Sequence, residues 1–352
     1  MNKLRRFRKK GKLGHAEHHR ITNETVAEHR ERVLAGGRRF KYPVQYARHR
    51  LVINAVVISV VALIALLAIL WWQLYPSQNT STFFYRITRV LPLPVAVIEG
   101  EQVKYGDYLV GFRSQEHYLQ NKEGINLYSD EFKHQLEYIK RKALDDAIAD
   151  AFAQKLAREM GISVNDTQID RAIERQRESR DGVTSQETYD AIVLDHFNWT
   201  PAEAREVTAA RLLRQEVAYQ IDKAAIKQKN QIAAMLKSEK DFGAIAKAIK
   251  AESDAKVFAG ATPLVPENNQ DGGLAAEAAR LSVGKISQPF RSTTGDGYYV
   301  VKLLEKDDND RVSYAYLKIS LTEFDTRLKA ARDGGHIDEY FNVPQIATTP
   351  TK

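Results

Sequence analysis

The stretch LVINAVVISVVALIALLAILWW, Leu51 to Trp72, has no charged side chain, and Asn54 and Ser59 are its only polar ones. At ~1.5 Å rise per residue, its length matches the ~30 Å hydrocarbon core of a bilayer. Trp71, Trp72 and Tyr75 stand where an aromatic belt would lie at the interface. The run is longer than the ~7–15 residues of a signal-peptide core, and no small-x-small cleavage pattern follows it. An uncleaved transmembrane helix is expected over 51–75. Arg38, Arg39, Lys41, Arg48 and Arg50 crowd its N-terminal flank, which assigns that side to the cytoplasm. The expected arrangement is a single-pass cell-membrane anchor with everything past it extracytoplasmic.

Charge divides at the same place. Residues 1–50 hold 15 Lys+Arg against 4 Asp+Glu, a balance of +11, while the remainder carries −4 within the overall +7. The basic tail, 1–50, includes Lys3, Arg5, Arg6, Arg8, Lys9 and Lys10. It has no aromatic ladder or recognisable nucleic-acid-binding motif, so it reads as a topogenic segment facing membrane lipid, with no nucleic acid expected. His15, His18 and His19 read as a histidine-rich tail rather than a metal site. The chain has no cysteine, which excludes disulfides, thiol catalysis and cysteine-ligated zinc. His117, His134, His196 and His336 lack ligand spacing, and no glycine-rich phosphate loop follows a strand. No metal and no cofactor is expected.

Past the polar linker 76–93, VAVIEGEQV predicts a short extended pair turning at Gly100 and feeding a helix from near Asp107. In FKHQLEYIKRKALDDAIADAFAQKLAREMGI, residues Leu136, Ile139, Ala143, Ala147, Ile148, Ala151, Phe152 and Leu156 share one helical stripe. Gly161 is placed to end that helix, and Ser163–Asp166 to cap the next, whose apolar face includes Ile169 and Ile173. Thr200, Pro201 and Glu203 spell an N-cap, a first-turn proline and a capping-box glutamate. Helical sequence then continues almost unbroken to Lys240. The fold class read from this pattern is mainly α with an α+β domain.

The succession VAVIEGEQV, a long alanine-faced helix, REMGISVNDTQIDRAI and FNWTPAEAREVTAARLLRQEV resembles the N-terminal peptide-binding region of SurA/PrsA-type foldases, over 94–227. That resemblance implies a helical chaperone domain that cradles unfolded or nascent translocated proteins. Phe112, Tyr118, Tyr128 and Tyr138 could contribute to such a surface, although aromatics at this spacing also suit a core.

A second resemblance covers 228–320. DFGAIAKAI, GGLAAEAARLSVGKISQPF and GDGYYVVKLLEK are similar to a divergent parvulin-like (PpiC-type) peptidyl-prolyl isomerase, with a small antiparallel sheet and helices. Rotation about an Xaa-Pro bond meets a barrier of ~18–20 kcal/mol, which an apolar slot lowers by favouring the twisted, less conjugated amide. In the family a histidine pair and a Cys or Asp form the centre, and apolar residues grip the proline. Carried over by position, the terminal histidine falls on Tyr299, the Cys/Asp on Asp254, and the wall residues on Leu274 and Ala279. The first histidine strand is missing from its usual place. RVSYAYLKIS, 311–320, could fill it with Tyr316, in the manner of a circular permutation, or could be an added edge strand.

A tyrosine keeps a hydroxyl but not the donor-plus-acceptor ring of neutral histidine. The resemblance therefore implies a membrane-tethered chaperone whose isomerase domain is weak or inactive. The alternatives are an active isomerase acting on Xaa-Pro segments and an envelope scaffold with a fixed partner. The C-terminal part, 321–352, reads as one short helix broken at Gly334–Gly335 and an unstructured end.

Overall fold

From Leu51 to Trp72 the apolar sequence holds no proline, glycine or charge to end a helix, and the helix that contains it runs far beyond ordinary globular length, through Gly36, Gly37 and Pro43. Helix α1 spans Asn23–Leu74, 52 residues, in a computed structural model that describes residues 22–124, 129–179, 182–252 and 256–344. Its segment His49–Leu74 has a mean hydropathy of 3.0, no residue of its apolar window is buried, and it is long and apolar enough to cross a membrane. The chain forms two compact units, Met1–Trp72 and Gln73–Lys352.

The second unit is mostly helical. Residues 76–93, linker-like in sequence, contain the helix α2 (Thr82–Val90). Strands β1 (Pro94–Ile98) and β2 (Glu101–Lys104) form a hairpin whose two turn residues, Glu99 and Gly100, both have positive φ, as the twist of a tight hairpin requires. Helix α3 (Tyr105–Asn121) follows, then α4 (Asp130–Met160), opened by Ser129 and closed by Gly161 at φ 66°. The predicted α4 stripe is the buried one from Ile139 to Leu156, with Leu136 half-buried. Helix α5 (Asp166–Arg177) carries an Asn165–Gln168 capping box; β3 (Glu178–Ser179) and β4 (Gly182–Val183) make a small ladder. Helices α6 (Gln186–Phe197) and α7 (Pro201–Ile221) complete this body, α7 beginning with the expected Thr200–Glu203 capping box. Of the aromatics suggested for a binding surface, Phe112 is core, 1% exposed and stacked on Tyr108. Tyr118 and Tyr138 are exposed, and Tyr128 lies outside the described residues.

Helix α7 does not run on to Lys240. It stops at Asp222, whose ψ of 78° is not helical, and α8 (Lys223–Met235) starts afresh, followed by α9 (Phe242–Glu252). Strands β5 (Val257–Ala261) and β6 (Val265–Pro266), helix α10 (Leu274–Ala279), and strands β7 (Phe290–Arg291), β8 (Gly297–Lys306) and β9 (Arg311–Ser320) form an antiparallel sheet. Its order is β5-β9-β8-β7, with β6 also pairing β9. One face, with Tyr298, Val300, Leu317 and Ile319, packs on α8 and α9 through Ile232, Phe242 and Ile245. The other, with Val301, Leu303, Val312 and Tyr314, packs on α10.

The C-terminal segment corrects the reading of a broken helix. Helix α11 (Glu323–Asp333) is followed by β10 (Ile337–Glu339), which pairs with β1 to make a second sheet, β10-β1-β2. Phe341 then packs against Tyr105 and Tyr108 of α3, at centroid distances of 5.7 and 5.4 Å. Three residues are too few to show strand periodicity; the pairing depends on tertiary docking.

Asp222 holds the junction between these parts. It is 2% exposed; Oδ1 accepts the Ala225 amide at 2.8 Å, capping α8, while Oδ2 accepts the Thr322 and Glu323 amides, at 2.8 and 3.2 Å, at the start of α11. Replacing it with alanine strands up to three donors where little water can reach them. Asp222→Ala is expected to lower stability by about 2–4 kcal/mol in urea unfolding, against much less for an exposed control such as Asp308→Ala.

Candidate functional site

In the antiparallel register of β8 and β9, Tyr299 faces Lys318 and Val301 faces Tyr316. Alternation puts Tyr299, Lys318, Tyr316 and Tyr314 on the α10 side of the sheet. The Tyr299 and Tyr316 rings are 6.3 Å apart, and Phe290 on β7 lies 6.4 Å from Tyr299 on its other side. Leu274 and Ala279 flank this group from α10, Leu274 buried and Ala279 partly so. Four of the sequence-derived positions are therefore neighbours. The fifth, Asp254, lies outside the described residues.

Tyr316 lies over Gly260 of β5, its cross-strand partner. A Cβ at that glycine would come 2.6 Å from the Tyr316 hydroxyl, so the close approach requires glycine there.

The polar centre is one that sequence reasoning missed. Asp296, in the turn before β8, accepts from Tyr299 Oη at 2.6 Å and from Lys318 Nζ on Oδ2, and from Ser292 Oγ at 2.6 Å and Thr294 Oγ1 at 2.7 Å on Oδ1. Partial burial alone would raise its pKa; the donations from Lys318, Ser292, Tyr299 and Thr294 outweigh burial and hold it well below the usual carboxylate range. Burial, then the Asp296 carboxylate, push the Tyr299 hydroxyl far above its ordinary value. That proton is committed to Asp296. Tyr314 repeats the device, donating to Asp271 at 2.7 Å, and Asp271 also caps α10 through the Leu274 amide at 2.8 Å. Lys318 is legible only once β9 is registered against β8, and Asp296, between two glycines in the turn, gives no signal of its own in the sequence.

No histidine occurs between His196 and His336, so the sheet supplies no imidazole. Phenols, carboxylates and one ammonium can orient and grip a chain through hydrogen bonds and ring faces. They offer no group that both donates and accepts a proton near neutral pH.

Among the described residues the chain has two sizeable clefts, of which the second adjoins this chemistry. One, of about 990 Å³, is walled by α2, α3, α4 and α7 and mixes apolar Val110, Ile139 and Val207 with Trp199 and the charged Asp150 and Arg214. The other, of about 950 Å³, runs from α4, α7 and α11 to Thr293–Asp296 and Lys318, so the Asp296 cluster opens onto it. Its sheet-side rim is fixed to α7: Gln215 donates to Thr294 O at 2.8 Å, and Tyr219 to Gly297 O at 2.7 Å. In the first cleft, burial raises Asp150 to about 6, with Arg214, 3.4 Å away, opposing the rise and Asp146 adding to it.

Two family models match the chain: one described as a SurA-like N-terminal domain, over residues 46–218, and one described as a PPIC-type PPIASE domain, over 213–305. No curated protein matches. A SurA-like N-terminal domain and a PPIC-type isomerase domain are thus present, in an architecture of helices with a small antiparallel sheet that suits both. The second match ends before β9, yet β9 joins β5 to β8 within the sheet.

Two titrations check this geometry. Because the folded pKa of Asp296 is depressed, its contribution is complete above the unfolded value of ~3.9 and is lost as pH falls toward the folded one. The urea midpoints of wild type and Asp296→Asn are expected to differ at pH 5 and converge toward pH 2. Asp150 has the opposite sign: its folded pKa is raised, so its ionisation destabilises the fold as pH rises from about 4 through about 6. Its carboxyl carbon should titrate near pH 6 by NMR, and Asp150→Asn should gain stability over wild type at pH 8 but not at pH 4.

Proposed function

We propose that this chain is a membrane-tethered extracytoplasmic chaperone of the SurA/PrsA type. It holds unfolded translocated polypeptides in its helical domain, and its parvulin-like domain binds Xaa-Pro segments with weak or no turnover. One observation carries the reading: the isomerase-type domain has no histidine, and where a catalytic imidazole is expected, Tyr299 spends its proton on Asp296. A slot that retains ring-gripping walls without an acid–base centre is suited to holding.

The membrane part of the proposal rests on the apolar helix and on the arginines and lysines at its N-terminal flank, with the N-terminus cytoplasmic. The chaperone part rests on the domain match and on the mixed apolar and charged lining of the 990 Å³ cleft. The proposed contacts for a bound proline are Tyr299, Tyr316, Leu274 and Ala279, with Asp254 in the family's Cys/Asp position. In this reading β9 replaces the missing first strand as in a circular permutation, supported by its pairing with both β5 and β8.

The test is NMR exchange between cis and trans Xaa-Pro signals of a short peptide, with the full chain in detergent micelles. The expected result is line broadening from binding with no acceleration of exchange, together with suppressed aggregation of several unrelated unfolded proteins. Acceleration that drops in Tyr299→Phe would make the protein an active isomerase. Failure to suppress aggregation of any unfolded protein would sink the chaperone reading.

A further inference from the structure

Helix α2 has two faces of opposite character. One is committed to the helical body: Tyr85 donates to Glu203, Arg89 pairs with Glu206, and Thr88 is 3% exposed. The other carries Phe83, Arg86 and Val90 at helical spacing, with Leu91 just past its end. Phe83 is 66% exposed, Val90 81% and Leu91 43%. Arg86 is exposed and has no ion pair or hydrogen bond with the described residues. A large phenyl ring and two aliphatic side chains grouped in water beside a cation mark a face that meets something else.

We propose that this face of α2 docks on the lipid surface, with Phe83, Val90 and Leu91 among the upper acyl segments and Arg86 at anionic headgroups. The inference rests on the membrane-anchor reading above. Three observations favour lipid over a protein partner. The residues between Leu74, where the apolar helix ends, and Thr82, where α2 begins, are only 75–81. Seven residues reach at most about 25 Å even fully extended, so α2 stays near the interface if α1 spans the bilayer. The apolar side chains are joined by a cation rather than by an acid, as expected of a helix lying on an anionic surface. And the other arginine near the end of the helix, Arg89, is already neutralised by Glu206, which separates the unpaired charge of Arg86 from a structural one.

The consequence concerns the larger cleft. Arg89 and Val90 also line it, so a docked α2 holds the mouth of that cleft beside the membrane, where a translocated chain first emerges.

The absence of native cysteine permits a direct test with single-cysteine variants of the full chain, spin-labelled in vesicles of neutral or anionic lipid. Phe83→Cys and Val90→Cys report on the face, Leu63→Cys on the apolar helix, and Asp308→Cys on the exposed β8–β9 turn. The expected result is that labels at 63, 83 and 90 are accessible to oxygen and shielded from a water-soluble nickel chelate, with the reverse at 308. Adding Arg86→Gln should shift the docked-to-undocked ratio at 83 about fivefold toward undocked in anionic vesicles, and little in neutral ones. Labels at 83 and 90 that match 308 while 63 reads deep would overturn docking and leave the anchor standing. A label at 63 that also reads aqueous would overturn the anchor, and docking with it. Labels at 83 and 90 that are aqueous until an unfolded polypeptide immobilises them would assign the face to client chains instead.

Discussion

Arg141 is 1% exposed in the middle of α4, and its guanidinium forks onto Glu339, at 2.7 and 2.9 Å, and onto Asp145. Withdrawing a guanidinium from water is expensive, and only a geometry that returns several charge-assisted bonds offsets it. Here the geometry requires β10 to be present, because Glu339 is its last residue. Arg332 on α11 adds a second cation to Asp145 at 2.6 Å. The helical domain is therefore closed by residues from the far end of the chain, and the sheet domain is inserted between its two parts. Without Glu339, α4 would keep a buried cation with half its partners.

That arrangement shows where sequence reasoning succeeds and where it fails. Caps and breaks were readable because their chemistry is local: Thr200 with Glu203, Asn165 with Gln168, and Gly161 at the end of α4 each act within four residues. The α4 stripe was readable because one face repeats over many turns. Arg141 was not, since a cation inside an apolar stripe looks like a boundary residue until Glu339 is brought to it. β10 was too short to carry a pattern. Asp222 interrupts a stretch of high helical propensity, and its reason for doing so lies a hundred residues away at Thr322.

The candidate site divides in the same way. Tyr299, Tyr316, Leu274 and Ala279 were named from resemblance, and the sheet brings them together. Asp296 and Lys318, which determine what Tyr299 can do, were not among the residues named from resemblance. They follow from register: once Tyr299 faces Lys318, an acid in the preceding turn is within reach of both. At the position where the resemblance places a histidine, more than one ring differs. The tyrosine there comes with a carboxylate that fixes the phenol proton and an ammonium that fixes the carboxylate. The result is a rigid polar corner opening on a cleft shared with α7.

The pairing of β10 with β1 also sets a clock. β1 ends at Ile98 and β10 begins at Ile337, so during synthesis at ~5–20 residues per second the first sheet strand waits on the order of tens of seconds for its outer neighbour. Throughout that interval the edge of β1 and the ring pocket that later receives Phe341 stand open. The sheet domain, whose strands all lie between residues 257 and 320, can finish first. Until residues 337–341 dock, the protein is itself a newly made polypeptide with an unfilled binding edge.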